Sequence, residues 1–385
     1  MNRVHVCLVS DQTIPNILAI QHFKPAKIIF CTTEKMENQD KSDAIIDTLG
    51  LYGLDYSTKS HKVFVDQDCL EDCELKLSDI AQKYSNHKFV INLTGGTKIM
   101  VIAAYNVFQK HNAQMIYTPI PKNQFVEIFP RKGNCKSPIP LNLRLTVEAY
   151  LTAYGVKVKN KNKLEPLKTN AKKNEKISKW MVDNYDAIES LLSSFIKEEL
   201  NKHRGDRKDY RFKMNYSYME QKEKELLDDL LGFEIRNNSI EKMLTKYEVR
   251  FLTGDWLSDF CYNEISKLSI DSCVTGIELV SPKGADNEFD VLFTKDNTLY
   301  IIECKSLKQE YDKDADILYK ISALQQDFGL KIDGFLVSTA RNIIDKQGRI
   351  KEHIIRRSKQ CKAEIIHPDN IKNFGLWIKN NVKGL

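Results

Sequence analysis

The sequence of 385 residues has no Cys-x-x-Cys pair and no histidine at zinc-finger spacing, although it holds nine cysteines. That pattern argues against a structural zinc site. Cys7, inside the apolar run Val-His-Val-Cys-Leu-Val, reads as a small buried thiol, and the whole set suits a reducing cytoplasm. There is no run of eighteen uncharged apolar residues, and the N-terminus offers one Arg before Val-His-Val, so neither a membrane span nor a signal peptide is expected. GxxxxGK[ST] and GxGxxG are both absent, which disfavours ATP hydrolysis and NAD binding. Charge of one sign is scarce too: 58 Lys and Arg against 52 Asp and Glu give +6, which permits a nucleic-acid partner without requiring one.

The composition is 42% hydrophobic, 9% aromatic and 29% charged, that of a globular protein, and the length predicts two or three domains. Strand-like runs at 4–9, 27–31, 62–65, 88–93 and 113–118 alternate with helical patterns at 15–23, 40–51, 70–85 and 97–111. Such alternation builds a parallel sheet with right-handed crossovers. Residues 1–145 are therefore expected to form an α/β, Rossmann-like domain, with a further strand at 125–129 before a Pro-rich stretch. Residues 157–176 contain eight lysines and two glutamates, a net +6 equal to that of the whole chain. This basic linker or ridge opens a largely helical region, 146–250, in which Leu191, Leu192, Phe195 and Leu200 suggest a packed stripe. Residues 251–385 read in αββαβ order: a helix at 255–268, a hairpin at 289–305, a helix at 314–328 and a strand at 334–338.

Two constellations carry chemistry. In open parallel sheets ligands bind beyond the carboxyl ends of the strands, and two loops fall there. One is Ser10-Asp11-Gln12-Thr13-Ile14-Pro15-Asn16. The other is Asn92-Leu93-Thr94-Gly95-Gly96-Thr97-Lys98, whose glycines let backbone amides close on an anion while Thr94, Thr97 and Lys98 supply hydroxyls and charge. A phosphate fits. Without a ligand, Gly95-Gly96 simply makes a tight turn and Thr97 caps the helix.

The second constellation is the hairpin. If Asp296-Asn297 is its two-residue turn, paired positions sum to 593, so Asp290 faces Glu303 and Glu288 faces Lys305 on one side, with Leu292 and Ile301. Val291–Ile302, Phe293–Tyr300 and Phe289–Cys304 pairs form the apolar side. Two opposed carboxylates about 5 Å apart at Cβ suit a divalent cation, Mg²⁺ or Mn²⁺, with the Cys304 carbonyl as a further ligand and Lys305 to orient or deprotonate a water. A solvated hairpin with cross-strand ion pairs is the plain alternative. Glu264, beside the apolar stripe of its helix, offers a third acid, and Tyr319, Lys320 and Gln325 offer contacts from the next helix.

Asp290…Glu303-Cys304-Lys305 between two helices resembles the PD-(D/E)xK nuclease core. Ser10-Asp11-Gln12 with Pro15-Asn16, and Asn92-Leu93-Thr94-Gly95-Gly96-Thr97-Lys98-Ile99-Met100, resemble the CRISPR-associated Rossmann fold (CARF) domain. Together with the segment Ile317-Leu318-Tyr319-Lys320, the chain resembles the CARF nucleases of type III CRISPR systems over nearly its whole length. The resemblance implies a homodimer switched on by cyclic oligoadenylate, with cyclic tetra-adenylate favoured. It also implies that Ser10, Asp11, Gln12, Asn16 and Thr94 to Lys98 bind the activator, and that Asp290, Glu303 and Lys305 cut with Mg²⁺ or Mn²⁺. The family's acid just after Trp-Leu of the first nuclease helix is replaced: Trp256-Leu257 is followed by Ser258 and then Asp259. A two-fold ring is best read by two copies of one loop, which agrees with a dimer.

The expectation is thus an activator-gated endonuclease acting on single-stranded DNA or RNA, or nicking duplex DNA. The rivals are a nucleotide sensor with a nuclease fold that only binds nucleic acid, and an unregulated restriction or repair nuclease. No general base marks the sensor loops as degrading their own activator.

Overall fold

The computed structural model of the chain describes residues 2–111, 113–119, 122–130, 137–195, 200–205, 208–216, 218–236, 238–280, 286–306, 332–361 and 363–385. Five apolar runs form β1 (Arg3–Leu8), β2 (Lys27–Thr32), β3 (Ser60–Phe64), β4 (Lys88–Asn92) and β5 (Gln114–Tyr117). They pair in parallel in the order β3-β2-β1-β4-β5. Helices Ile14–Phe23, Lys41–Gly50, Leu70–Lys83 and Lys98–Phe108 run between them, as the alternating pattern predicts. Antiparallel β6 (Gln124–Phe129) and β7 (Ile139–Pro140) complete this seven-stranded sheet. The connections leave adjacent β1 and β4 in opposite directions across the sheet. That topology opens a crevice beyond their carboxyl ends, where Cys7 lies beside Asn92.

The second half is built on a six-stranded sheet. It contains β8 (Lys157–Val158), β12 (Ser272–Val280), β13 (Asp286–Lys295), β14 (Thr298–Lys305), β15 (Ile332–Ser338) and β16 (Ala363–Ile366), in the order β16-β15-β14-β13-β12-β8. The αββαβ pattern omits β12, whose Ser-Cys-Val-Thr-Gly-Ile-Glu-Leu-Val is interrupted by Gly276 at φ +61°. It also omits β8, which lies in the basic segment and pairs with β12 at its end.

Between the two sheets the chain is not helical throughout, as the sequence pattern suggests. Tyr210–Asn215 (β9), Glu234–Arg236 (β10) and Ser239–Leu244 (β11) form a small antiparallel sheet. In β9 the alternation is period two, with Phe212 and Met214 buried and the lysine and arginine outside. The lysine-rich helix Leu164–Lys173 buries Ala171, whose carbonyl accepts from Asn263 Nδ2 at 2.7 Å on the helix Trp256–Ser266. Leu191, Leu192 and Leu200 are fully buried, while the side chain of Phe195 and all of Tyr319, Lys320 and Gln325 lie outside the described residues.

Three cores result. One packs helices Leu70–Lys83 and Lys98–Phe108 on the first sheet. Another packs the helices of 171–265 and the C-terminal helix on one face of the second sheet. The third is shared: Cys7, Ile28 and Phe30 of the first sheet belong to the same buried cluster as Leu292 and Ile301 of the second. Helix Val147–Ala153, apolar on most sides, fills that junction. The two sheets are therefore joined by buried contact and not only by chain.

Candidate functional site

The hairpin turn forms as its residues dictate. Asp296 and Asn297 adopt φ of 50° and 59°, the left-handed pair required by a two-residue turn, and the register runs from Lys295↔Thr298 to Val291↔Ile302. Beyond that pair the ladder stops. The Cys304 amide donates instead to Asp290 Oδ2 at 2.7 Å, and the Asp290 carbonyl accepts the Thr275 hydroxyl at 3.0 Å. Asp290 thus stands where two strands part, its carboxylate against the backbone that follows Glu303. Alternation also breaks here: Val291 packs with the helix Trp256–Ser266, whereas Phe289 joins Leu292 and Ile301 in the other core, not the apolar face expected for it.

Glu303 is 3% exposed, beside Leu336 of the parallel neighbour β15, and Lys305 lies beside Ser338. The expected partnership of Glu288 with Lys305 is not made, because the ladder has ended. Glu288 pairs in register with Glu278 of β12, and its Oε1 accepts from the Arg250 guanidinium at 2.9 Å. Arg250 also donates to Asp255 Oδ2 at 2.8 Å. Asp255, Asp259, Glu288 and Asp290 line one cleft with Arg250 and Ser258; Arg250 pairs with Asp255 and Glu288, and Arg204 also donates to Asp255.

Glu264, expected as the third acid, points elsewhere. Its Oε1 accepts from Lys267 at 2.7 Å, and its Oε2 lies over Gly375, where an added Cβ would sit 2.9 Å away. Asp259, five residues earlier and therefore about 140° around the helix, is the acid that faces the cleft. Asn174 donates to its Oδ2 at 2.8 Å. Burial, aided by the neighbouring charge of Asp255, lifts the Asp259 carboxyl to about 7 against the opposing Asn174 bond and Arg250 charge. The Ser-Asp after Trp-Leu was the sequence signal for this residue. Among the described residues no three His, Cys, Asp or Glu side chains gather as a metal cage. The donors on offer are two carboxylates on adjacent strands and the Cys304 carbonyl, an all-oxygen set of the kind hard divalent cations take.

At the crevice of the first sheet the two loops are tied by Asn92, which the sequence reading placed inside the motif without a role. Its Nδ2 donates to Asn16 Oδ1 at 2.9 Å and to the Pro15 carbonyl at 3.2 Å, and its Oδ1 accepts the Thr94 hydroxyl at 2.6 Å. Asn16, expected to contact ligand, is 1% exposed and donates to the Leu8 carbonyl, so it braces the loop from beneath. Both threonine hydroxyls are engaged. Thr94 accepts the Thr118 amide at 2.8 Å, while Thr97 caps the helix through Met100 and donates to the Gln67 carbonyl at 3.0 Å. Gly95 is required by packing, since a Cβ there would lie 2.1 Å from the Leu8 carbonyl oxygen; Gly96, at φ +73°, completes the turn.

What remains at the crevice is half-buried Ser10 and Gln12, exposed Asp11, the turn at Gly96, and exposed Lys98 at the first helical turn. Thr118, unforeseen from sequence, adds a buried hydroxyl with no hydrogen-bond partner among the described residues. The crevice thus combines a helix N-terminus, a lysine and an unsatisfied donor, an arrangement suited to an anionic, sugar-bearing ligand.

Two family models match the chain: the Card1 CARF domain over residues 4–150 and the Card1-like endonuclease domain over residues 245–383. Among solved structures, the protein VC1899 from Vibrio cholerae is similar, with TM-score 0.78 and 18% identity over 98% of this chain and 97% of that one. Can2 from Sulfobacillus thermosulfidooxidans, solved in complex with cyclic tetra-adenylate, has TM-score 0.74 and 19% identity over 98% and 99%. A type III CRISPR defence DNA nuclease activated by cyclic oligoadenylate has TM-score 0.54 and 16% identity, over 94% of this chain and 52% of its own. At these identities the likeness is one of fold. No curated protein matches the chain.

Proposed function

The chain belongs to the Card1-like family, which joins a CARF domain to an endonuclease domain, and from that premise we propose a cyclic-oligoadenylate-activated, metal-dependent endonuclease of type III CRISPR defence. The observation that carries the chemistry is the bond from the Cys304 amide to Asp290, which brings one acid against the strand that bears Glu303 and Lys305. Asp290, Glu303 and the Cys304 carbonyl would hold Mg²⁺ or Mn²⁺. When bound, such an ion polarises a phosphate oxygen and lowers the pKa of a water. Lys305, next along the strand, orients or deprotonates the attacking water or stabilises charge on the phosphoryl group. Arg250 fixes Glu288 and Asp255 at the rim, and Asp259 and Ser258 close the cleft beside Asp290.

The activator is a cyclic oligoadenylate, with cyclic tetra-adenylate favoured by the ligand of Can2. A homodimer would present two such loops to a two-fold ring. Its higher affinity for one dimer arrangement shifts the population toward the cutting state. The substrate is single-stranded DNA or RNA, or duplex DNA that is nicked.

The decisive experiment is a cleavage panel of single- and double-stranded DNA and RNA with Mn²⁺ or Mg²⁺, with cyclic tetra- or hexa-adenylate or neither. Cutting that needs both metal and ring, and that Glu303→Ala abolishes without loss of ring binding, supports the reading. Equal cutting without any nucleotide would favour an unregulated nuclease instead.

A further inference from the structure

The turn of the acid-bearing hairpin is not left in solvent; it is docked on the first domain. Asn297 is 9% exposed, and its Nδ2 donates to Asn123 Oδ1 at 2.7 Å and to the Leu143 carbonyl at 2.9 Å. Its Oδ1 accepts the Leu145 amide at 2.7 Å. Asn123 Nδ2 donates to the Asp296 carbonyl at 3.0 Å, Arg144 Nε donates to Asp296 Oδ1 at 2.9 Å, and Thr294 donates to the Leu145 carbonyl at 2.8 Å. A two-residue turn of this type requires left-handed backbone at both positions but no such side-chain clamp. The Asn297 amide is thus spent on Asn123, Leu143 and Leu145.

The stretch from Leu143 onward leads directly to the ligand loop. It continues into helix Val147–Ala153 and Tyr154, where the Thr13 hydroxyl donates to the Ala153 carbonyl at 2.6 Å and the Tyr154 hydroxyl donates to Gln12 Oε1 at 3.3 Å. Loop 10–13 and turn 296–297 are therefore gripped by the two ends of one short stretch, and a small cavity lined by Gln12, Tyr150, Tyr154, Asn123 and Asn297 separates them. From the turn, an unbroken ladder runs to Val291↔Ile302, and Asp290 follows, about 20 Å away at ~3.3 Å per residue.

We propose that Asn123, Arg144 and Asn297 are positioning residues that couple the two sites, passing the ligand-dependent setting of loop 10–13 through helix Val147–Ala153 into the acid-bearing hairpin. The proposal rests on the ligand-gated reading above. A hydrogen-bonded hairpin moves as a unit, so a ligand-dependent shift at its docked end is carried to Asp290 and Glu303.

The test uses the full chain with Asn297→Gly, which keeps a turn-forming residue and removes the three amide bonds. Cyclic tetra-adenylate binding is measured by calorimetry, and Mn²⁺-dependent cleavage of labelled single-stranded DNA is measured with and without it. The variant is expected to bind the ring no more weakly and to keep the unstimulated rate, but to lose stimulation by about tenfold, within the usual range of site coupling. Arg144→Gln, at a half-exposed position, is expected to show a smaller loss in the same direction, and it decides the matter if Asn297→Gly fails to fold. Stimulation equal to the parent's in the folded variants overturns the coupling, as does a loss explained wholly by weaker ring binding. A parent that the ring does not stimulate overturns the gated reading itself.

Discussion

Asp290 Oδ2 accepts the backbone N–H of Cys304 at 2.7 Å, so the carboxylate closes the end of a ladder as well as carrying charge. Asparagine at 290 keeps an acceptor and removes the charge, whereas alanine leaves the amide without its partner. Asp290→Asn is expected to cut cleavage ~100-fold or more with little change in melting temperature, since several kcal/mol of transition-state stabilisation accompany a metal site. Asp290→Ala adds a stability loss of about 1–3 kcal/mol for the orphaned amide. Cleavage assays beside thermal unfolding of both variants separate the two roles, and equal unfolding of the variants would contradict the ladder-closing one.

The placement of the helix acids makes a sharp contrast. Glu264→Gln, bound to Lys267 and remote from the cleft, is expected to leave the cleavage rate within about twofold of the parent, the behaviour of a surface-type ion pair. Asp259→Ala, which opens the cleft wall beside Asp290, lowers it. A rate loss in Glu264→Gln comparable to that of Asp290→Asn would return Glu264 to the site.

Asp259 also predicts a pH dependence. Its carboxyl is raised to about 7 in the folded chain, so the native state holds this proton more tightly than the unfolded chain does. The resulting stability is complete below the ordinary carboxylate range, declines above about pH 4 and is lost as pH rises through about 7. In chelator, the melting temperature should fall across that window. Asp259→Asn, which keeps an acceptor for Asn174, should flatten the fall; an unaltered slope would assign the titration to another group.

At the first site, bracing and contact residues should behave differently. Lys98→Ala, at an exposed position, is expected to raise the activator concentration needed by about tenfold, the worth of one charge-assisted bond, without changing stability. Asn92→Ala removes the tie among Pro15, Asn16 and Thr94 and should lower the melting temperature as well. Gly95→Ala, forced against the Leu8 carbonyl, should destabilise most of the three. Calorimetric binding with unfolding curves for the three variants checks the order, and an unchanged dose response in Lys98→Ala removes that lysine from the pocket.

Much of this protein was determined within short stretches of chain. Asp296-Asn297 between two alternating runs sets one register, because the turn demands left-handed residues and a slip of one would move every apolar side chain to the wrong face. The alternation of strands and helices likewise settles the parallel sheet, and the paired glycines after β4 settle the sharp turn at its edge. Tertiary structure alone decided how these pieces are used. Which helix acid meets Asp290 depends on the rotation of the helix Trp256–Ser266 against the sheet. That Thr94, Thr97 and Asn16 serve the scaffold depends on partners brought to them by other loops. That Asn297 grips Asn123, 174 residues away, depends on a shared core between two sheets. Local spacing constrains backbone geometry over a few residues; hydrogen-bond partners and burial are settled only when distant segments pack, and it is there that an acid or an amide acquires its role.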